Sequence, residues 1–213
     1  MPTPERIVEA ATSLFWRNGY HAVSVDQICK EAQILKGSFY HVFPSKAELL
    51  LVVLRRVWEA DRAEIVEIYA GRGPIGVRFR EHLEWIGSSQ HALFRKYGFV
   101  PGTFDMVMDI NIPPDVVAFV RDARAQHLDF LGTAVGEILP AGKSALVSWL
   151  ASAIMNFISG ALIDARLRNS LAPFDELPDS ICKFVELAET AAGFVKMPEC
   201  GSSSPSATAA SVA

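Results

Sequence analysis

Residues 24–43, SVDQICKEAQILKGSFYHVF, constrain this chain more than any other stretch, because they encode two short helices joined by a tight turn. Ser24 and Gln27 form a capping box that starts the first helix, with Val23 and Ile28 as its hydrophobic staple. Ala32-Gln33-Ile34-Leu35 then turns the chain into a second helix bearing Lys36, Gly37, Ser38, Tyr40 and His41. A helix built only for packing has no reason to expose that mixture of small, aromatic and basic residues. A helix that lies against a DNA backbone does, since those side chains reach phosphates and base edges. A plain polar helical hairpin is the alternative.

The flanking segments continue the helical pattern. Thr3 followed by Pro4 suits an N-cap and first helical position, and Ile7, Ala10, Ala11, Leu14 and Phe15 share one face before Asn18-Gly19 stops the helix. Phe43-Pro44-Ser45 ends the motif, and Ser45 with Glu48 opens a long helix that runs to about Tyr69. Gly71-Arg72-Gly73-Pro74 breaks it. Further helices are expected at 75–96, 103–110, 114–139, 143–168 and 179–196, with Asn169 to Pro178 as a linker. Pro198 to Ala213 is Ser/Ala-rich without core-forming periodicity and is expected to be a disordered tail. No stretch alternates as a strand would, so the fold class is all-α.

Half of the 213 residues are hydrophobic, enough for a sizeable core. The longest near-apolar run, Ala145 to Ile163, carries Ser148, Trp149, Ser152, Asn156 and Ser159 and reads as a buried helix, with no membrane partner expected. MPTPERIVEA lacks a basic-then-apolar signal region, so a cytoplasmic location is expected. Cys29, Cys182 and Cys200 are too few and too scattered for a disulfide framework or a zinc site, and neither metal nor cofactor is expected. The net charge of −4 argues against an indiscriminate nucleic-acid coat. Within residues 1–50, however, Arg6, Arg17, Lys30, Lys36 and Lys46 balance Glu5, Glu9, Asp26, Glu31 and Glu48. A neutral module with placed cations on an acidic body suits sequence-specific binding.

Residues 4–51 resemble the N-terminal DNA-binding domain of TetR-family transcriptional regulators. The resemblance rests on Asn18-Gly19-Tyr20, on Val23-Ser24-Val25-Asp26-Gln27-Ile28, and above all on Lys36-Gly37-Ser38-Phe39-Tyr40-His41-Val42-Phe43-Pro44-Ser45-Lys46. It implies an N-terminal three-helix helix-turn-helix domain over residues 1–47 whose third helix enters the major groove. A helical effector-binding and dimerisation domain would fill 48–197. On this reading Ser24, Val25, Lys36, Gly37, Ser38, Phe39, Tyr40, His41 and Lys46 form the DNA surface. Lys36 and Ser38 reach base edges, Gly37 permits close approach, and Tyr40, His41, Lys46 and Ser24 reach phosphates. Phe43 is expected in the core; Phe39 stays open between the core and a thymine methyl.

Two positions depart from the ordinary pattern. The turn residue that is usually Gly in this motif is Gln33, which would carry a cost on the order of 1 kcal/mol if its φ is positive. Cys29 falls on the inward face of its helix, where a small buried hydrophobe is the plain reading and a thiol sensor the sharper one.

The body is quieter. Trp85, Tyr97, Phe104, Met108, His127 and Asn156 are the candidates for a pocket that takes a small, mostly apolar effector, although aromatic and Met residues at helical spacing are more often plain core. Leu146, Leu150, Phe157 and Ala161, with Phe184, Ala188 and Ala192 of the last helix, form stripes suited to a four-helix homodimer interface. The function expected is therefore a ligand-responsive homodimeric repressor on a palindromic double-stranded DNA operator. The alternatives are an enzyme or a protein-interaction module using the body pocket. No paired carboxylates, nucleophile–base constellation or phosphate loop supports an enzyme.

Overall fold

The computed structural model of the chain describes residues 3–98, 112–140 and 144–192. Among these residues it contains nine helices and no strand, as the all-α reading expects. The helix expected over 103–110, with Phe104 and Met108, lies outside the described residues, as does the 198–213 tail.

Helices α1 (Thr3–Asn18), α2 (Val25–Glu31) and α3 (Lys36–Val42) form the N-terminal module. α1 stops at Gly19, whose φ of 78° belongs to the left-handed region and whose N–H returns to the Phe15 carbonyl at 2.9 Å. α2 opens with the complete Ser24–Gln27 capping box. It closes on a Schellman motif: Ile34 N–H donates to the Cys29 carbonyl at 2.9 Å and Gln33 N–H to the Lys30 carbonyl at 3.2 Å. Gln33 occupies the left-handed position at φ 54°, so the strain anticipated from the missing glycine is present.

Helix α4 (Lys46–Ala70) starts at Ser45, whose Oγ accepts from the Glu48 N–H at 3.1 Å. Helices α5 (Ile75–Tyr97), α6 (Pro114–Ile138), α7 (Ser144–Arg168), α8 (Ala172–Asp175) and α9 (Leu177–Ala192) build the body. The segment 169–178, expected to be a plain linker, contains α8. Its Phe174 is buried, and its backbone lies so close to α5 that a Cβ on Gly87 would sit 3.2 Å from the Phe174 carbonyl oxygen.

Two apolar cores result. The first gathers Ile7, Ala11 and Phe15 from α1, Ile28 from α2, Phe39 and Phe43 around α3, and Leu49, Leu50, Leu51, Val53 and Leu54 from α4. Ile112, Val116 and Val120, at and before the start of α6, also belong to it. The second gathers Phe79 and Leu83, Leu131 and Val135, Leu150 and Ile154, and Phe174 and Ile181 from α5 to α9. The first stretch of α4, beyond residue 47, thus packs into the N-terminal core. Two helices, α4 and α6, connect the module to the body.

Candidate nucleic-acid interface and body cavities

Helix α3 divides its seven residues cleanly. Phe39 is fully buried and Phe43, one turn on, is 7% exposed, with ring centroids 6.1 Å apart. Lys36, Gly37, Ser38, Tyr40 and His41 all remain exposed, so the outward face is the polar, small and aromatic one. A Cβ built on Gly37 meets nothing within 4 Å, so no packing within the fold requires a glycine there. Phe39 is corrected from the expected DNA surface: its ring anchors α3 to the core and has no exposed surface to offer a thymine methyl.

The other expected contacts lie beside this face with their polar atoms engaged. The Ser24 hydroxyl accepts from the Gln27 N–H at 3.2 Å and donates to Gln27 Oε1 at 3.0 Å, while half-buried Val25 packs on the first core. Lys36 Nζ lies 2.9 Å from Asp26 Oδ1, an exposed pair of the kind that contributes little and is easily exchanged. Lys46, expected on the DNA surface, is engaged within the fold. Its Nζ donates to the carbonyl oxygens of Tyr20 at 2.8 Å and Val23 at 2.7 Å and sits 4.1 Å over the Tyr20 ring. Burial pulls its pKa below the ordinary lysine value. It thus ties α4 to the α1–α2 connection, with two of its three donors spent inside the fold.

Arg6 was missed by sequence reasoning. Its guanidinium donates to the carbonyls of Ala32 and of Gln33, the latter at 2.8 Å, and so clamps the strained turn from α1. No local motif signals a contact between residues this far apart in sequence. Cys29 is 5% exposed, and burial followed by the nearby Asp26 charge raises its pKa, so it sits as a small core hydrophobe.

Two cavities occupy the body. The inner one, about 120 Å3, is bounded by Trp58 and Ile65 of α4, Trp85 of α5, His127 of α6, Met155 of α7 and Phe174 of α8. The outer one, about 830 Å3, opens between α1, α4 and α5 and is lined among others by Trp16, Trp85 and Tyr97. Trp85 thus borders both, His127 the inner and Tyr97 the outer. Asn156 is corrected: it is exposed, accepts from Arg124 Nη2 at 3.1 Å through Oδ1, and borders neither cavity.

Behind the inner cavity lies a network that the sequence did not reveal. His127 Nε2 is 3.2 Å from His82 Nε2, and His82 Nδ1 is 3.0 Å from the Tyr69 hydroxyl. Burial pushes both imidazole pKa values well below the usual histidine range, helped by His127 beside His82 and by Arg124 beside His127. Both rings are therefore neutral at pH 7 and share one N–H···N hydrogen bond. Asp61, which borders both cavities, shows the opposite behaviour: burial drives its carboxyl up to about 7.

Helix α7 carries apolar residues on both its inner and its outer side and is long and apolar enough by length and composition to cross a membrane. One side enters the second core through Leu150, Ile154, Met155 and Leu162. The other leaves Trp149, Phe157, Ile163 and Leu167 exposed, next to half-buried Phe184 and exposed Leu187 of α9. The Phe184 ring packs tilted against those of Trp149 and Phe157 at 5.9 and 5.4 Å between centroids. Of the residues expected in a dimer seam, Leu146, Phe157, Ala161, Phe184 and Ala188 lie wholly or partly at the surface. Leu150 is corrected, since it is fully buried within the protomer; the side chain of Ala192 lies outside the described residues.

The geometry invites comparison with known proteins. The family model described as "Bacterial regulatory proteins, tetR family" matches residues 7–53, which is the N-terminal module and the start of α4. The transcriptional regulator UidR of Escherichia coli K12 is 29% identical over 171 residues, covering 76% of this chain and 81% of its own. The N-terminal module, residues 7–53, is thus that of the TetR family of transcriptional regulators. These likenesses support a DNA-binding transcriptional regulator. YuxN, an uncharacterized regulator of Bacillus subtilis, is 44% identical over 62 residues, covering 29% of this chain and 21% of its own. Among solved structures, a TetR-family regulator from Agrobacterium tumefaciens superposes with a TM-score of 0.74 at 20% identity, covering 85% of this chain and 96% of its own. A regulatory protein TetR from Rhodobacter sphaeroides gives 0.70 at 21% identity over 84% of this chain and 96% of its own. At that identity the two structures speak for the fold, and they extend the likeness from the module to the whole helical body.

Proposed function

We propose that this regulator is a homodimeric repressor in the cytoplasm, released from a palindromic operator by a small, mostly apolar effector in the inner cavity. One observation carries the coupling. α4 runs from Leu49–Leu54 in the N-terminal core to Trp58, Asp61 and Ile65 at the cavity wall. α6 runs from Val116 and Val120 in the same core to Ala123, Arg124 and His127 at that wall. Interiors are close-packed, so an effector that shifts these walls must shift the helix ends lodged in the DNA-binding module. A coupling of about 1–3 kcal/mol suffices for a 5- to 150-fold change in operator affinity.

On this reading Lys36 and Ser38 read base edges, Tyr40 and His41 reach phosphates, and Gly37 lets the duplex approach. Ser24 and Val25 offer the start of α2 to the backbone. Half-sites are then spaced by about one helical turn or its multiples, which requires two recognition helices. The uncovered apolar face of α7 and α9 supports a second copy as the source of the other helix.

Fluorescence anisotropy with the DNA upstream of the chain's own coding region tests the scheme. Expected is tight, salt-dependent binding to one palindromic segment, and loss of that binding with at least one compound from an effector library. Lys36→Ala should relax preference at one base pair by about 1–3 kcal/mol and leave non-specific affinity nearly unchanged. Equal binding to all sequences by the native chain, or binding that no compound alters, overturns the reading.

A further inference from the structure

The outer cleft contains more than empty volume. Its charged lining comprises Glu5 and Glu9 of α1, Arg56, Asp61 and Glu64 of α4, and Lys96 of α5. Lys96 Nζ is taken by Glu9 at 3.5 Å. Among the described residues, Glu5 Oε2 is buried without a hydrogen-bond partner, and so is Oε1 of Gln90, whose residue is only 8% exposed. Gln90 borders both cavities, as does Asp61, for which no ion pair is formed among the described residues. The unfilled groups are all acceptors. Buried acceptors without donors cost about 1–3 kcal/mol each, so a fold keeps them only where something else fills them.

We propose that the cleft between α1, α4 and α5 is a binding site for an organic cation: a protonated amine carried on a flat, apolar or aromatic body. An ammonium brings three N–H donors and a positive charge, and Glu5, Asp61 and Gln90 supply acceptors to match. Trp16, Trp85 and Tyr97 on the walls suit the aromatic body and the cation alike. The volume of about 830 Å3 falls in the range that small-molecule sites occupy. An anion fits poorly, because carboxylates outnumber cations in the lining and Lys96 is already paired. The partial desolvation that raises the Asp61 pKa is relieved when a cation sits beside it. The occupant touches α1 and α4 directly, so it would bear on the DNA-binding module without passing through the inner cavity. That regulatory consequence rests on the proposed repressor mechanism; the binding itself does not.

Three probes sharing one ring separate the chemistry: 1-naphthylmethylamine, 1-naphthylmethanol and 1-naphthylacetate, titrated into the full chain at pH 8 by calorimetry and tryptophan fluorescence. The amine should bind about tenfold or more tightly than the alcohol, and the carboxylate more weakly than either. Asp61→Asn should remove most of the amine's advantage while leaving alcohol binding unchanged. Glu5→Gln and Ala60→Trp, both at positions that line only the outer cleft, distinguish it from the inner cavity. The first should weaken the amine several-fold and the second should block it, with circular dichroism confirming an intact fold. No binding by the amine, equal affinity for all three probes, or amine binding that survives both Glu5→Gln and Ala60→Trp overturns the site. Operator release on adding the amine is measured separately: bound amine without release keeps the site and removes only the regulatory link.

Discussion

Gln33 holds a left-handed conformation where glycine is the unstrained choice, and Arg6 on α1 grips the two carbonyls of that turn. The clamp holds the turn from outside its own loop, so relieving the strain should leave the motif in place. Gln33→Gly is expected to raise stability by about 0.5–1 kcal/mol in urea denaturation without altering operator affinity. A loss of stability would mean that the side chain contributes more than its backbone costs. Asp61 offers a pH test. Its folded pKa is raised from 3.8 to about 7, so between those values the folded chain binds more protons than the unfolded one. Its contribution is thus most favourable at low pH and is lost as pH rises through 7. The buried His82–His127 pair works the other way, since lowered folded pKa values make stability fall as pH drops below about 6.5. Asp61→Asn should therefore be more stable than the native chain at pH 8, by something on the order of 2–4 kcal/mol. The two should converge toward pH 4, with the variant losing stability more steeply on acidification. Parallel thermal melts at pH 8, 6 and 4 read this directly, and a gap that does not close on acidification would refute the assignment.

At the scale of elements, the division of α3 into a buried Phe39–Phe43 side and an exposed Lys36–His41 side separates folding from recognition. Gly37 makes the separation measurable, because its surroundings leave room for a methyl group. Gly37→Ala should stabilise the isolated fold by about 0.5–1 kcal/mol through helix propensity. It should nonetheless weaken operator binding at least tenfold if the duplex approaches the backbone there; unaltered binding would place the DNA elsewhere. α6 behaves differently from its sequence pattern. Its periodicity marks one apolar face, yet the two ends of that face enter different cores. Such a helix is suited, with α4, to pass a displacement between module and body.

For the whole molecule, the exposed Trp149, Phe157, Ile163, Leu167 and Leu187 form an apolar surface that water does not favour. A second copy of the chain is the expected cover. Phe157→Arg combined with Leu167→Asp should give a helical monomer by light scattering at micromolar concentration. Its operator affinity should fall by two orders of magnitude or more, since one recognition helix replaces two. A double variant that stays dimeric would place the seam elsewhere.

Much of the module was legible because its instructions are local. Capping residues, a stop at Gly19, the Gln33 turn and the Phe43-Pro44-Ser45 break each act within a few residues of where they stand. Whether Phe39, Asn156 and Leu150 face inward or outward was not local, and there tertiary packing decided against expectation. The same holds for the histidine pair and the orphan acceptors of the cleft, whose partners or lack of them depend on helices far apart in the chain. In a largely apolar helix such as α7, periodicity cannot say which side meets the core and which is left for a partner, because large apolar residues stand on both. The chain's own order therefore determined the helices, their ends and the recognition motif. Only the way the helices pack decided which polar groups were stripped of water, and so where a ligand has something to gain by binding.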